Sequence, residues 1–123
     1  ALDALRRRGI PFGVVSSSWR WYVERCLREL GMYEDAAVIV TGSDGLPLKP
    51  APAPYQAAAR VFRPAPPGAV LAVEDSGSGV RSAVAAGLAC AAVYNPDSGA
   101  QDLSPARWRL NSLYELPALL DGN

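Results

Sequence analysis

The sequence predicts an α/β domain built on a parallel sheet, and three observations support this fold class. Short apolar runs alternate along the chain with longer segments of helical periodicity. Half of the 123 residues are hydrophobic, which is enough for one domain of ordinary size to form a core. Glycine and proline mark most of the borders between the runs. We therefore expect residues 1–123 to form a single domain of repeated strand–helix units.

Five of the apolar runs are predicted to be strands. Most are rich in Val, Ile and Ala and are bounded by turn-forming residues, as is typical of buried strands in a parallel sheet. They span residues 12–15, 38–40, 70–73, 90–93 and 108–110.

Helical patterns fill the gaps between these strands, over residues 1–8, 19–30, 52–62, 79–86 and 113–120. Gly9 and Gly87 would close two of the helices, and Ser18 would be the N-cap of the second. The apolar stripe of that second helix would contain Trp21, Cys26, Leu27 and Leu30. Because residues 1–8 lack a start signal, we expect the N-terminal boundary of the domain to lie upstream.

Composition and charge exclude several classes of function. Twelve basic and twelve acidic residues give zero net charge, and no basic stripe accompanies the aromatic residues, which argues against nucleic acid or an anionic membrane as a partner. No apolar run approaches the roughly 18 residues of a membrane span. Cys26 and Cys90 lack metal-ligand spacing, and the chain has no histidine. We expect two buried free thiols in a cytoplasmic protein.

Three serines, Ser16 to Ser18, follow the first predicted strand and precede a helix. Hydroxyls and free backbone amides would then face one point at the carboxyl edge of the sheet, where open α/β sheets bind ligands. This arrangement predicts an anion site. An ordinary serine-rich helix cap remains the alternative.

Two adjacent carboxylates, Glu74 and Asp75, follow the third predicted strand and enter a glycine-rich turn. Carboxylate oxygens are the ligands that Mg²⁺ prefers, and two of them at a strand end are costly without a compensating cation or donor. Gly77 and Gly79 would allow close approach of the backbone. A helix-capping acid in a flexible loop is the alternative.

Lys49 is the only lysine in a chain with eleven arginines. A compact ammonium suits a site where a planar guanidinium does not fit, such as a phosphate site beside a metal. A solvated, proline-rich turn is the alternative. Asp44 lies in the turn from Gly42 to Gly45 and is expected to serve that turn, with a weak pairing to Lys49 possible.

These strings resemble the haloacid dehalogenase superfamily, whose phosphatases and phosphomutases carry four ordered motifs on a Rossmann-like sheet. Ser16 matches motif II, Lys49 matches motif III, and Glu74–Asp75 matches motif IV. The wider strings, which are residues 14–18, 49–52 and 73–76, look like the branch that contains β-phosphoglucomutase. The resemblance covers about residues 1–120 and implies a three-layer Rossmann-like core.

The resemblance also implies roles for the matched residues. Ser16 would hydrogen-bond the transferring phosphoryl group with the Ser17 amide nearby, and Lys49 would neutralise its charge. Asp75 would bind Mg²⁺, with Glu74 assisting directly or through water. The implied activity is Mg²⁺-dependent phosphoryl transfer from a small phosphorylated metabolite, such as a sugar phosphate, through an aspartyl-phosphate. The acidic pair argues against a true dehalogenase, which needs no metal.

One departure from the family is large, because the Asp-x-Asp strand of motif I is absent from these 123 residues. The only acid before Ser16 is Asp3, which lies in a helical run. In the family the motif I strand lies between the strands that end at Ser16 and Glu74, so its absence predicts a cleft with two unpaired edges. Lys49 follows Ser16 too closely for a cap domain to lie between them.

Two hypotheses follow. In the first, the chain is the C-terminal portion of a haloacid dehalogenase-type phosphatase or phosphomutase, and a missing N-terminal segment or another chain supplies the nucleophile. In the second, it is a non-catalytic α/β module with a residual anion and metal site. The start inside a helix favours the first.

Overall fold

The structure is a computed structural model that describes residues 1–122. Its five strands are β1 (Phe12–Val15), β2 (Ala36–Val40), β3 (Leu71–Glu74), β4 (Ala89–Val93) and β5 (Trp108–Leu110). Its α-helices are α1 (Leu2–Arg8), α2 (Arg20–Glu29), α3 (Ala53–Arg60), α4 (Gly77–Ala85) and α5 (Leu116–Leu120). The five predicted strands and five predicted helices are confirmed, and their ends differ by a few residues.

All the strand pairs are parallel, but the strands form two separate sheets. β1 pairs with β2, and β3, β4 and β5 pair in that order. Within residues 1–122, β1 and β3 each have one edge without a strand partner. The α/β class with a parallel sheet and an incomplete core is therefore confirmed.

Two helices hold the sheets side by side. α3 packs against β1, β2 and α4, while α4 packs against β3 and β4. A hydrogen bond of 2.6 Å from Ser82 Oγ on α4 to the carbonyl oxygen of Ala51 joins the segment just before α3 to α4. Small residues let the layers approach closely, and the buried cluster consists of Tyr55, Ala72, Val80, Ala83, Leu88, Cys90, Ala92 and Ala106.

The prediction for α2 is wrong in two respects. The N-cap is Trp19 rather than Ser18, and it makes no side-chain capping bond. The free amide of Arg20 instead donates to Ser43 Oγ at 2.9 Å, so a neighbouring loop caps this helix. The helix buries Val23 and Leu27, which lie one turn apart, whereas Trp21 and Leu30 of the predicted stripe are exposed.

Both cysteines are free thiols, as predicted. Cys90 is buried on β4, where burial raises its pKa to about 11, and the nearby Glu74 carboxylate contributes to the shift. Cys26 is only partly buried, so the expectation of two buried thiols holds for Cys90 alone.

None of the helices within residues 1–122 is both long enough and apolar enough to cross a membrane.

Candidate active site

A cleft of about 1020 Å³ lies at the carboxyl ends of the strands. All five residues singled out from the sequence line it, namely Ser16, Ser17, Lys49, Glu74 and Asp75. The remaining lining residues are Ala1, Val15, Val73, Ser76, Ser78, Val93, Tyr94, Asn95, Asn111, Ser112, Leu113 and Tyr114. The loops after β1, β3, β4 and β5 therefore meet in one place, as expected for an open α/β sheet.

The serine loop is held at the end of β1 by backbone contacts. Ser16 N donates to the carbonyl oxygen of Val40 on β2 at 2.9 Å, and Ser16 Oγ accepts from Ser18 N at 3.1 Å. Gly42 packs directly on this loop, and a Cβ there would lie 2.2 Å from the carbonyl oxygen of Ser17. The Ser16 hydroxyl keeps its proton available for an acceptor in the cleft.

A short 3₁₀ turn, Gly42–Asp44, supports the serine loop from behind. Asp44 accepts from Thr41 N at 2.8 Å and pairs with the Arg20 guanidinium at 3.1 Å. The Thr41 amide bond and Arg20 hold the pKa of Asp44 below its usual value. Asp44 serves its turn as predicted, but its ionic partner is Arg20 and not Lys49.

Lys49 connects the two sheets. Its Nζ donates to the carbonyl oxygen of Val15, at the end of β1, at 3.0 Å. The same atom donates to Glu74 Oε1, at the end of β3, at 2.5 Å. Both side chains are about nine-tenths buried. An ammonium carries three donor hydrogens, so one of them is left for a ligand in the cleft.

The Glu74 carboxylate is enclosed by protein. Oε1 accepts from Lys49 Nζ and from Tyr55 OH, the latter at 2.6 Å. Gly79 forms the opposite wall, where a Cβ would lie 2.2 Å from the Glu74 carboxylate. Gly79 thus permits the close approach predicted from the sequence. Because the Glu74 carboxylate is enclosed in this way, it orients Lys49.

Asp75 is held by the loop that follows β4. Asn95 Nδ2 donates to Asp75 Oδ2 at 2.9 Å, and Ser98 Oγ donates to the same oxygen at 3.3 Å. No hydrogen bond among residues 1–122 uses Oδ1. The two donors thus fix the carboxylate and leave one oxygen for a ligand.

The donors present fit Mg²⁺ in kind but not in number. Asp75 offers a hard carboxylate oxygen, whereas Glu74 Oε1 already accepts two hydrogen bonds. Across the described residues, no group of three or more His, Cys, Asp or Glu could hold a metal ion. A complete site therefore needs further oxygen ligands besides these two carboxylates.

Comparisons with known proteins place the chain in a family. A family model described as haloacid dehalogenase-like hydrolase matches residues 1–87. The chain belongs to the haloacid dehalogenase-like hydrolases. The family predicted from Ser16, Lys49 and the acidic pair is confirmed.

Relatives of this family align along nearly the whole chain. YhcW of Bacillus subtilis (strain 168) is 35% identical over 122 residues, which cover 98% of this chain and 55% of YhcW. Validoxylamine A 7'-phosphate phosphatase of Streptomyces hygroscopicus subsp. limoneus is 31% identical, with coverages of 87% and 54%. The structure of CbbY from Rhodobacter sphaeroides in complex with phosphate is 30% identical, with a TM-score of 0.85 and coverages of 94% and 52%. The chain therefore spans about half the length of the relatives it matches.

Three features of this haloacid dehalogenase-like site were missed in the sequence. Tyr55 looks like an ordinary core aromatic and Asn95 like a turn residue, although Asn95 lies two positions past the carboxyl end of β4, where site residues collect. Ser98 belongs to the same turn-rich loop after β4, which could touch a ligand edge, but nothing in the sequence indicated its contact with Asp75. No sequence signal links Tyr55 to Glu74, because that contact depends on how α3 packs into the buried core.

Proposed function

We propose that this chain supplies the phosphate-binding residues and part of the metal-binding residues of a Mg²⁺-dependent phosphatase or phosphomutase. The substrate would be a small phosphorylated metabolite. The observation that carries the proposal is the convergence of Lys49 Nζ, the Ser16 hydroxyl and Asp75 in one cleft between β1 and β3. An ammonium, a hydroxyl and a carboxylate are the groups needed to neutralise, orient and coordinate a phosphoryl group.

In this proposal the nucleophile comes from outside the chain. The only carboxylates that line the cleft within residues 1–122 are Glu74 and Asp75, and both are held by protein donors. The free edges of β1 and β3 suit one inserted parallel strand, whose carboxyl end would reach Lys49. A carboxylate there would attack phosphorus, form an aspartyl-phosphate and release the substrate oxygen, and water or an acceptor would then take the phosphoryl group.

The residues of this chain would act by position and charge. The third hydrogen of Lys49 Nζ would neutralise a phosphoryl oxygen, and the Ser16 hydroxyl would donate to a second oxygen. Asp75 would bind Mg²⁺ through Oδ1, and that ion when bound would offset the charge that develops on the phosphoryl oxygens. Validoxylamine A 7'-phosphate phosphatase, by its name, acts on a phosphorylated metabolite, which supports the substrate class.

The test is hydrolysis of p-nitrophenyl phosphate with and without Mg²⁺. It compares residues 1–123 alone with the same chain extended upstream through one further strand. We expect Mg²⁺-dependent hydrolysis only in the extended protein. Hydrolysis by the short chain would place the nucleophile within it and contradict the proposal. Inactivity of both against a panel of phosphate monoesters would favour the non-catalytic module.

Ser16→Ala tests the phosphate contact. Losing one donor to a charged group costs on the order of 1–3 kcal/mol, so kcat/KM in the complete protein should fall by roughly 10- to 100-fold. Ser104→Ala is the control, because Ser104 is exposed and its hydroxyl donates to Asp102, which does not line the cleft. Equal values of kcat/KM for both variants would refute the role of Ser16.

Asn95→Ala tests the orientation of Asp75. Removing a partner of a metal-binding carboxylate typically costs about 10- to 100-fold in metal affinity. We expect that loss in Mg²⁺ affinity, measured by calorimetry on the complete protein, with a smaller loss for Ser98→Ala. Gln56→Ala, on the exposed side of α3, is the control and should bind Mg²⁺ as the parent does. Unchanged affinity in Asn95→Ala would show that Asp75 needs no support from this loop.

A further inference from the structure

Tyr55 does not line the cleft itself but lies behind two residues that do, Glu74 and Lys49. The residue is 7% exposed, sits in the first turns of α3 and belongs to the buried cluster. Its hydroxyl donates to Glu74 Oε1 at 2.6 Å. Its ring also faces Lys49, whose Nζ lies 5.3 Å from the ring centroid. Tyr55 therefore contacts both members of the Lys49–Glu74 pair.

Glu74 has little freedom apart from these contacts. Its carboxylate is closed in on one side by Gly79, where even a Cβ would lie 2.2 Å away. On the other side, Oε1 is shared between Tyr55 OH and Lys49 Nζ. The Tyr55 hydroxyl thus sets the rotation of the carboxylate about its terminal bond. The position of that oxygen in turn sets the direction of the ammonium.

Lys49 needs such support because its stem is long and flexible. An ammonium on four methylene groups has many rotamers, and Lys49 selects one by bonding to the Val15 carbonyl oxygen and to Glu74 Oε1. These two acceptors leave the third hydrogen of Nζ for a ligand in the cleft. A shift of Glu74 Oε1 would turn that hydrogen away from a bound phosphoryl group.

We propose that Tyr55 is a positioning residue. Its hydroxyl fixes the Glu74 carboxylate, which lies between Tyr55 and Lys49, and the carboxylate in turn directs the Lys49 ammonium at the phosphoryl group. This inference rests on the proposed function, in which Lys49 contacts the phosphoryl group. It assigns to a core tyrosine an effect on the chemical step in addition to packing. The Tyr55 hydroxyl acts through Glu74 and never touches the substrate.

Tyr55→Phe removes only the hydroxyl and keeps the buried ring, so the fold is expected to persist. Its control is Tyr33→Phe, because Tyr33 stacks under Arg28, away from the cleft. In the complete protein we expect kcat to fall roughly 10-fold in Tyr55→Phe, with KM nearly unchanged. The reason is that the contact between Lys49 and the phosphoryl group strengthens in the transition state. Tyr33→Phe should match the parent. A change in KM alone would contradict the proposal.

A double-mutant cycle separates positioning from packing. If Tyr55 acts through Glu74, the loss of its hydroxyl should have little further effect on kcat once Glu74→Ala has removed the acceptor. A packing role predicts instead that the two losses multiply. Multiplying losses would overturn the proposal.

A third measurement does not need turnover. The side-chain ¹H–¹⁵N resonance of Lys49 in the complete protein, assigned with Lys49→Arg, reports the surroundings of Nζ. We expect its chemical shift to change in Tyr55→Phe and to stay at the parent value in Tyr33→Phe. An unchanged chemical shift in both variants would overturn the inference. If the complete protein hydrolyses no monoester, the proposed function fails, while this resonance still decides whether Tyr55 controls the lysine.

Discussion

Lys49→Arg is expected to lower kcat for phosphate monoester hydrolysis by about 10²–10³-fold in the complete protein. Removing one preorganised donor from a developing charge costs this much. The substitution keeps the positive charge, so Glu74 keeps an ionic partner and the fold should persist. The planar guanidinium cannot reproduce an Nζ that bonds both the Val15 carbonyl oxygen and Glu74 Oε1 in a site nine-tenths buried.

The matched control is Arg25→Lys, an exchange of the same two residue types in an exposed pair with Glu29. It should leave kcat and the melting temperature near the parent values, because exposed ion pairs contribute little. Steady-state kinetics and thermal unfolding measured together separate chemistry from folding. Parent-like kcat in Lys49→Arg would remove the lysine from the proposed site.

Asp75→Asn is expected to abolish the Mg²⁺ dependence of hydrolysis and to lower kcat by roughly 10³-fold. A bound metal supplies several kcal/mol of charge stabilisation in phosphoryl transfer, and the neutral amide is a poor substitute for a carboxylate ligand. Asparagine has nearly the same shape, and its carbonyl oxygen can still accept from Asn95 and Ser98. The fold should therefore be retained. The measurement is a Mg²⁺ titration of kcat.

Asp3→Asn is the control for this exchange, since Asp3 is exposed and pairs only loosely with Arg6 at 3.5 Å. Its titration should overlay that of the parent. If Asp75→Asn kept both its rate and its response to Mg²⁺, the metal would bind elsewhere.

The sequence predicted the fold class and five of the residues that line the cleft, because both follow from local patterns. Strand β3 is a short apolar run that ends at Glu74–Asp75, and β1 is a similar run that ends at Ser16. The carboxyl ends of parallel strands meet at one edge of a sheet, so these residues had to converge. Lys49 does not follow a strand, and it was predicted because it is the only lysine in the chain.

The features that were missed depend on packing between elements distant in sequence. Tyr55 reaches Glu74 only because α3 packs its first turn into the buried core, and Ser43 caps α2 only because its turn lies against the serine loop. Packing between elements also explains why the prediction for Trp21 is wrong. This residue is apolar and was placed on the buried face, but α2 turns Val23 and Leu27 inward and leaves Trp21 exposed.

The most direct test is a crystal structure of the complete protein with Mg²⁺ and orthophosphate. We expect one phosphate in the cleft between β1 and β3, with Lys49 Nζ and Ser16 Oγ each about 3 Å from its oxygens. We also expect Mg²⁺ on Asp75, with Tyr55 still bonded to Glu74. A phosphate bound outside this cleft, or one that contacts neither Lys49 nor Ser16, would contradict the proposed phosphate site.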